Sequence, residues 1–331
     1  MEIKEIRDIY GGMPQCGALV KMLEDKTVKT VFLKGLLASS GPMFFSALAD
    51  RHADTIMFVL QDADEAGYFY HDLTQLMGTQ QVLFYPSSYR RAVKYGQRDA
   101  GSEILRTEVL SRLAQRGGNN GYDEKGNRKA GNAEAISKAK NAEAINKAEN
   151  AEAISKAENT KARSKAESSK ASKALYIVTC PEALSELVVS KQRLDERTLS
   201  LAVSQTVDIV ETEKTLREFG FEQVDYVYEP GQFAVRGSIL DVYSFSSELP
   251  FRIDFFGDEI DTIRTFNVED QLSKDKKDAV EIVPELAKMT EEKMPLTSFL
   301  PADTVVAVKD LAYVADTIAR IYDEGFAQQA V

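Results

Sequence analysis

The residues best suited to chemistry are four carboxylates in a short span, Asp254, Asp258, Glu259 and Asp261. Such a density suits a hard metal ion or a paired acid and base. In the run FFGDEID, however, they surround Gly257, so they read as the polar flanks of a hairpin turn. His52 and His71 are the only histidines, and neither has a Ser, Cys or acidic constellation that would mark a triad or a metal site. Cys16 and Cys180 stand far apart without a CxxC partner, which suggests neither a disulfide framework nor a zinc site and leaves two buried, reduced thiols.

Two other groupings suit recognition rather than catalysis. The stretch YPSSYRRAVKYGQR interleaves Tyr85, Tyr89 and Tyr95 with Arg90, Arg91, Lys94 and Arg98, a mixture that stacks on bases and pairs with phosphates. Weak DNA contact through Tyr89, Arg90, Arg91 and Lys94 is one reading; an ordinary surface loop is the other. In PFRIDFF, strand alternation places Arg252, Asp254 and Phe256 on one face and Ile253 and Phe255 on the other, with the second face the core candidate. A guanidinium beside an exposed phenyl ring suits a protein interface. The bland alternative pairs Arg252 with Asp254 or Glu259 and buries Phe256.

The elements that must hold these residues fall into two rhythms. Up to about residue 115, short apolar runs alternate with helical stretches: VFL at 31–33, TIMFVL at 55–60 and VLFY at 82–85 read as strands buried on both faces of a parallel sheet. Between them lie helices over 42–48 and 63–77, the second with Asp62 as its cap. The pattern resumes with ALYIVT at 174–179 and a proline-initiated helix in PEALSEL. From about residue 198 the strands crowd together: VDYVYE at 224–229, FAV at 233–235, SILDVYS at 238–244, FRIDFF at 251–256 and DTIRTF at 261–266. Gly and Pro punctuate them as in an antiparallel meander. A helix over 211–219, closed by Gly220, precedes this meander. TVVAVK at 304–309 and LAYVADTIARIY at 311–322 then return to strand and helix signals.

Between 117 and 173 the composition collapses to Ala, Lys, Glu, Asn and Ser, with NAEAISKAK, NAEAINKAE and NAEAISKAE in succession. Each unit sets Glu four residues before Lys, which favours helix locally. A nine-residue period points Ile136, Ile145 and Ile154 alternately to opposite sides of such a helix. Without a continuous apolar stripe the segment is expected to be a solvated helix or a disordered insertion. It carries twelve basic and eight acidic residues, whereas the 331-residue chain has 41 basic and 52 acidic, a net charge of −11. The remainder is thus more acidic than the whole, which argues against charge-driven coating of DNA. The start MEIKEIRDIY lacks an apolar signal region and no membrane-spanning run is present, so a cytoplasmic protein without membrane contact is expected.

The stretch EPGQFAVRGSILDVYSFSSELPFRIDFFGDEIDTIRTF, Glu229 to Phe266, resembles the second domain shared by UvrB and the bacterial transcription-repair coupling factors (the Mfd family). The flanks fit as well, so the resemblance covers nearly everything except the repeat. It implies an α/β fold: a degenerate P-loop NTPase-like parallel-sheet domain over 1–116 and 174–196, interrupted by the 117–173 insertion. An inserted α+β antiparallel-sheet domain follows over 197–280, and a returning segment over 281–331.

The same resemblance places a P-loop at KGLLASSGPMFF. Where Gly-Lys-Thr would stand the chain has Gly41, Pro42 and Met43. The phosphate-binding cation and the metal-binding hydroxyl are both missing, and Pro42 removes an N–H donor. Lys34 stands too early to replace that cation and reads as a surface residue. The long tyrosine-rich DNA hairpin of UvrB is reduced to the short stretch described above.

No hydrolysis and no cofactor are therefore expected of this chain. The translocase motor and the contacts to RNA polymerase and DNA would belong to other domains of full-length members. What the resemblance implies for this part is recruitment of UvrA through Arg236, Arg252 and Phe256. A UvrB-type damage-recognition ATPase and a nucleic-acid-binding structural module are the competing readings.

Overall fold

The computed structural model describes residues 2–88, 100–117, 174–286 and 293–327. Helices α1 (Ile3–Gly12) and α2 (Pro14–Glu24) lead, in extended chain, to α3 (Ser40–Leu48). The run VFL, expected as a strand, lies in that extended chain, with Phe32 87% exposed. Three apolar residues without flanking strand partners do not make a ladder, and no strand precedes α3 among the described residues.

Strand β1 (Thr55–Val59) follows, then α4 (Ala63–Met77), β2 (Val82–Tyr85), α5 (Ala100–Gly117) and β3 (Leu175–Thr179). The cap of α4 is the expected one, with the Glu65 backbone N–H donating to Asp62 Oδ1 at 2.9 Å. PEALSEL yields only one helical turn, α6 (Pro181–Leu184), because Leu187 already opens β4 (Leu187–Val189). Next come α7 (Lys191–Glu196), β5 (Leu199–Ala202) and α8 (Ile209–Glu218). Gly220 follows α8 at φ +86°, the left-handed conformation expected of a residue that closes a helix.

The second half runs β6 (Glu222–Gln223), β7 (Gln232–Arg236), β8 (Ile239–Val242), β9 (Phe251–Phe256), β10 (Glu259–Phe266), β11 (Ser273–Lys277) and β12 (Ala279–Ile282). It ends with β13 (Lys293–Pro295), β14 (Val305–Val308) and α9 (Leu311–Ala327).

A parallel sheet has the order β14-β1-β3-β2, and its strands carry the continuous apolar runs that burial on both faces requires. Its core gathers Phe44, Phe45, Phe58 and Tyr176, the last donating its hydroxyl to the Phe45 carbonyl at 2.7 Å. A six-stranded sheet, β11-β10-β9-β8-β7-β6, is antiparallel except where β6 runs parallel to β7. Its inner face buries Phe233, Leu240, Phe251, Ile253, Phe255 and Ile263 together with Leu216 of α8 and Leu201 of the small β5–β12 pair. At about 1.5–3 kcal/mol for each large apolar side chain removed from water, this face fixes the register of the meander.

The stretch 224–229 is not the expected strand. Its alternation suits a ladder, but the chain instead crosses the outer face of the six-stranded sheet, where Val227 packs with Ala234 and Phe266 while Tyr226 and Tyr228 stay exposed. The α/β expectation otherwise holds, as a parallel sheet with separate antiparallel ones. Among the described residues no helix is long and apolar enough to cross a membrane.

Candidate functional site: the outer face of the antiparallel sheet

Strand β9 alternates as its sequence requires. Ile253 and Phe255 are buried in the inner core, while Phe256 is 84% exposed. The bland alternative that buried Phe256 is therefore excluded. A two-residue turn joins β9 to β10, with Phe256 opposite Glu259 and Gly257 at φ +63°. That is the first central position of a type II′ turn, which glycine occupies without steric cost.

Cross-strand pairing sets Asp241 of β8 directly opposite Arg252, and Arg252 opposite Arg264 of β10. Asp241 is fully buried, so its charge requires partners. Arg252 supplies a bidentate pair, Nε to Oδ1 at 2.8 Å and Nη2 to Oδ2 at 2.9 Å. Arg236, from the end of β7, donates Nη2 to the same Oδ2. The pairing of Arg252 with Asp254 or Glu259 is thereby corrected: Asp254 is taken by Arg264 Nη2 and by the Thr262 hydroxyl at 2.8 Å. Two like charges directly opposite would repel, and each is neutralised by a different carboxylate.

Further contacts lock the guanidinium groups. Arg252 Nη1 donates to the Gln271 carbonyl at 3.0 Å, and its Cζ lies 4.5 Å from the Phe266 ring centre. The hydrogen bond to Asp241 holds the Arg252 pKa above its ordinary value, with burial acting in the opposite direction. Arg236 Nη1 donates to the Asp225 carbonyl at 3.0 Å, and its Cζ lies 5.0 Å from the Tyr226 ring centre. The segment 224–229 thus supplies both a ring and a carbonyl to Arg236. Side-chain exposure separates the two arginines, 34% for Arg236 against 15% for Arg252.

The FFGDEID carboxylates do not converge on a metal: among the described residues no group of three or more His, Cys, Asp or Glu is arranged to hold one. Asp241, Arg264 and Tyr226 were not singled out by sequence reasoning. The signal for Asp241 was present in the LDV of SILDVYS, one acid between two apolar residues, which on a strand must face away from the core.

At Gly41-Pro42-Met43 the chain enters α3. The Ser40 and Gly41 backbone N–H groups donate to Leu37 and Ala38 carbonyls at 3.0 and 3.4 Å, and Met43 N–H to Ser39 at 3.2 Å. Gly41 and Pro42 are buried, beside Phe69 of α4, and Lys34 is exposed. The N-terminus of α4 carries Asp62, Asp64 and Glu65 and so repels an anion.

Tyr85, counted above with the basic loop, is fully buried under the Arg106 guanidinium, 4.3 Å from its ring centre, and is closed to base stacking. Tyr89, Arg90, Arg91 and Lys94 lie outside the described residues, as does the repeat over 118–173.

Residues 199–287 match the UvrB interaction domain family. Over 287 residues, 86% of this chain, it is 25% identical to the transcription-repair-coupling factor of Bacillus subtilis. It is 34% identical over 110 residues, 33% of the chain, to that of Haemophilus influenzae, and 45% identical over 65 residues, 20% of the chain, to that of Escherichia coli. Residues 199–287 are thus similar to a UvrB interaction domain, and the chain as a whole is similar to part of the transcription-repair-coupling factors. These matches cover 20%, 10% and 6% of the three relatives, so the chain spans about a fifth of their length or less. Arg236, Asp241, Arg252 and Phe256 all fall within the matched UvrB interaction domain.

Proposed function

We propose that this chain is a non-catalytic docking module that binds UvrA through the outer face of its six-stranded sheet, with Phe256, Arg236 and Arg252 as the contact residues. The observation that carries this reading is Phe256, a large apolar side chain held 84% exposed on a strand whose neighbouring residues on both sides of the sheet are fully committed. An exposed ring on the same sheet face as ordered guanidinium groups has the composition of an interface hot spot. Arg236 and Arg252 are anchored before any partner arrives, so binding them orders little additional side-chain freedom.

The scaffold beneath is read as a degenerate P-loop domain. A phosphate nest needs free backbone N–H groups and a cation. Here the N–H groups entering α3 donate into their own chain, Pro42 has none, and Lys34 stands too early in the motif. ATP turnover is accordingly not expected of this chain. The proposed organisation is 1–116 with 174–196 as scaffold, 197–280 as the docking domain and 281–331 as a returning segment. Within a longer coupling factor in the cytoplasm, this module would bring UvrA to a stalled RNA polymerase in nucleotide excision repair, other domains contacting the polymerase and DNA.

The test is capture of the chain by immobilised UvrA, alongside the double variant Arg236→Ala, Arg252→Ala, with thermal melting of both to establish that each is folded. Retention of the unaltered chain and loss of the folded double variant is expected. Equal retention of both would remove the assigned surface, and ATP hydrolysis by the purified chain would overturn the non-catalytic reading.

A further inference from the structure

We infer that Asp241 is the positioning residue of the docking surface: one buried carboxylate that aims both Arg236 and Arg252, without itself reaching the partner. The inference rests on the UvrA-docking reading and deepens it. Asp241 is fully buried and meets Arg252 through both oxygens, while its Oδ2 also accepts from Arg236 on the other side. Two arginines from different strands are thus tied to a single acceptor.

Each guanidinium has a second set of contacts besides the carboxylate. Arg252 must lie flat near the Phe266 ring to reach the Gln271 carbonyl, and Arg236 must lie over Tyr226 to reach the Asp225 carbonyl. Without the carboxylate, Arg236 of β7 and Arg252 of β9 would lie on either side of β8 with no anion between them, and Arg264 stands directly opposite Arg252. They would then be driven apart into solvent. Presentation of the arginines is therefore a property of Asp241. Asp254, the other carboxylate of this face, is hydrogen-bonded to Arg264 and Thr262 and acts on Arg252 only through its charge.

The experiment uses the full chain and purified UvrA, with affinity measured for Asp241→Asn, Asp241→Glu and Asp254→Asn. Each change is made in the unaltered background, and Asp241→Asn also in the Arg236→Ala, Arg252→Ala background. Asp241→Asn should weaken binding by about tenfold or more, equivalent to at least about 1.4 kcal/mol. Asp241→Glu should recover part of that loss, and Asp254→Asn, which leaves the hydrogen bonds from Arg236 and Arg252 to Asp241 in place, should lose clearly less than Asp241→Asn. In the arginine-free background Asp241→Asn should cause no further loss, because the groups through which it acts are gone. A further loss there, or unchanged binding by Asp241→Asn alone, overturns the inference while leaving the docking reading intact. If the unaltered chain fails to bind UvrA, both fall together.

A second readout needs neither UvrA nor a variant that folds. Side-chain NMR of the unaltered chain should show slowly exchanging guanidinium protons at Arg252 Nε and at Arg236 Nη2, the groups bound to Asp241. Fast exchange at both contradicts the anchoring.

Discussion

Asp241 and Arg252 stand directly opposite each other on β8 and β9 and share two hydrogen bonds, at 2.8 and 2.9 Å, with the carboxylate sealed from solvent. A pair so placed contributes to stability as well as to any interface. Removing one partner of a buried pair leaves the other's charge uncompensated, which is more damaging than the pair is stabilising.

Arg252→Ala is therefore expected to lower unfolding free energy by about 3 kcal/mol. Arg236→Ala should cost about 1 kcal/mol, since Asp241 keeps its bidentate partner. Urea unfolding of the two variants measures the difference, and equal losses would show that the two arginines are not ranked as their exposure implies.

The two faces of β9 make a sharper contrast. Ile253→Ala empties a fully buried position and should cost about 2–5 kcal/mol, whereas Phe256→Ala at an exposed position should stay within about 0.5 kcal/mol of the unaltered chain. Chemical denaturation reads both, and a large loss for Phe256→Ala would mean that the ring is packed in solution.

Glu108 on α5 provides a test by pH. Burial raises its pKa, Glu248 adds to the effect and Arg112 opposes it. The folded chain thus holds this proton more tightly than the unfolded chain. The resulting stability is complete below the unfolded value of about 4.3 and is lost as pH rises through the folded value. Glu108→Gln, neutral throughout, should gain on the unaltered chain across that rise, and a difference that stays constant with pH would refute the assignment.

Cys180 is buried, and its thiol is pushed up to about 12 chiefly by that burial. A thiol reagent should leave it unmodified in the folded chain near neutral pH and label it fully in denaturant. Rapid labelling of the native protein at Cys180 would contradict the buried placement.

Sequence patterns revealed elements whose local preference agrees with their packing. Asp62 caps α4 where composition changes, and FRIDFF alternates along its whole length. The misreadings came from segments whose fate depends on distant partners. VFL has strand-forming residues but no neighbour to pair with, and VDYVYE alternates yet is drawn across the sheet by one buried side chain, Val227. SKDKK, the edge strand β11, is exposed at every position, so no apolar period marks it, and its lysines suit an edge that must not pair further.

At the candidate site, Phe256 and Arg252 were legible by type and face, whereas Arg236, and the docking role proposed for all three, came only from the resemblance. Asp241 was not legible, because its partner lies eleven residues away on the next strand and only the register brings the two together.

The most direct measurement is calorimetric titration of UvrA with the unaltered chain and with Phe256→Ala. This substitution separates docking from folding, because the ring contributes little to the chain's own core. Saturable binding by the unaltered chain, reduced at least about tenfold in a variant that melts at the same temperature, is the predicted result. Undiminished binding by Phe256→Ala would contradict the proposed docking face.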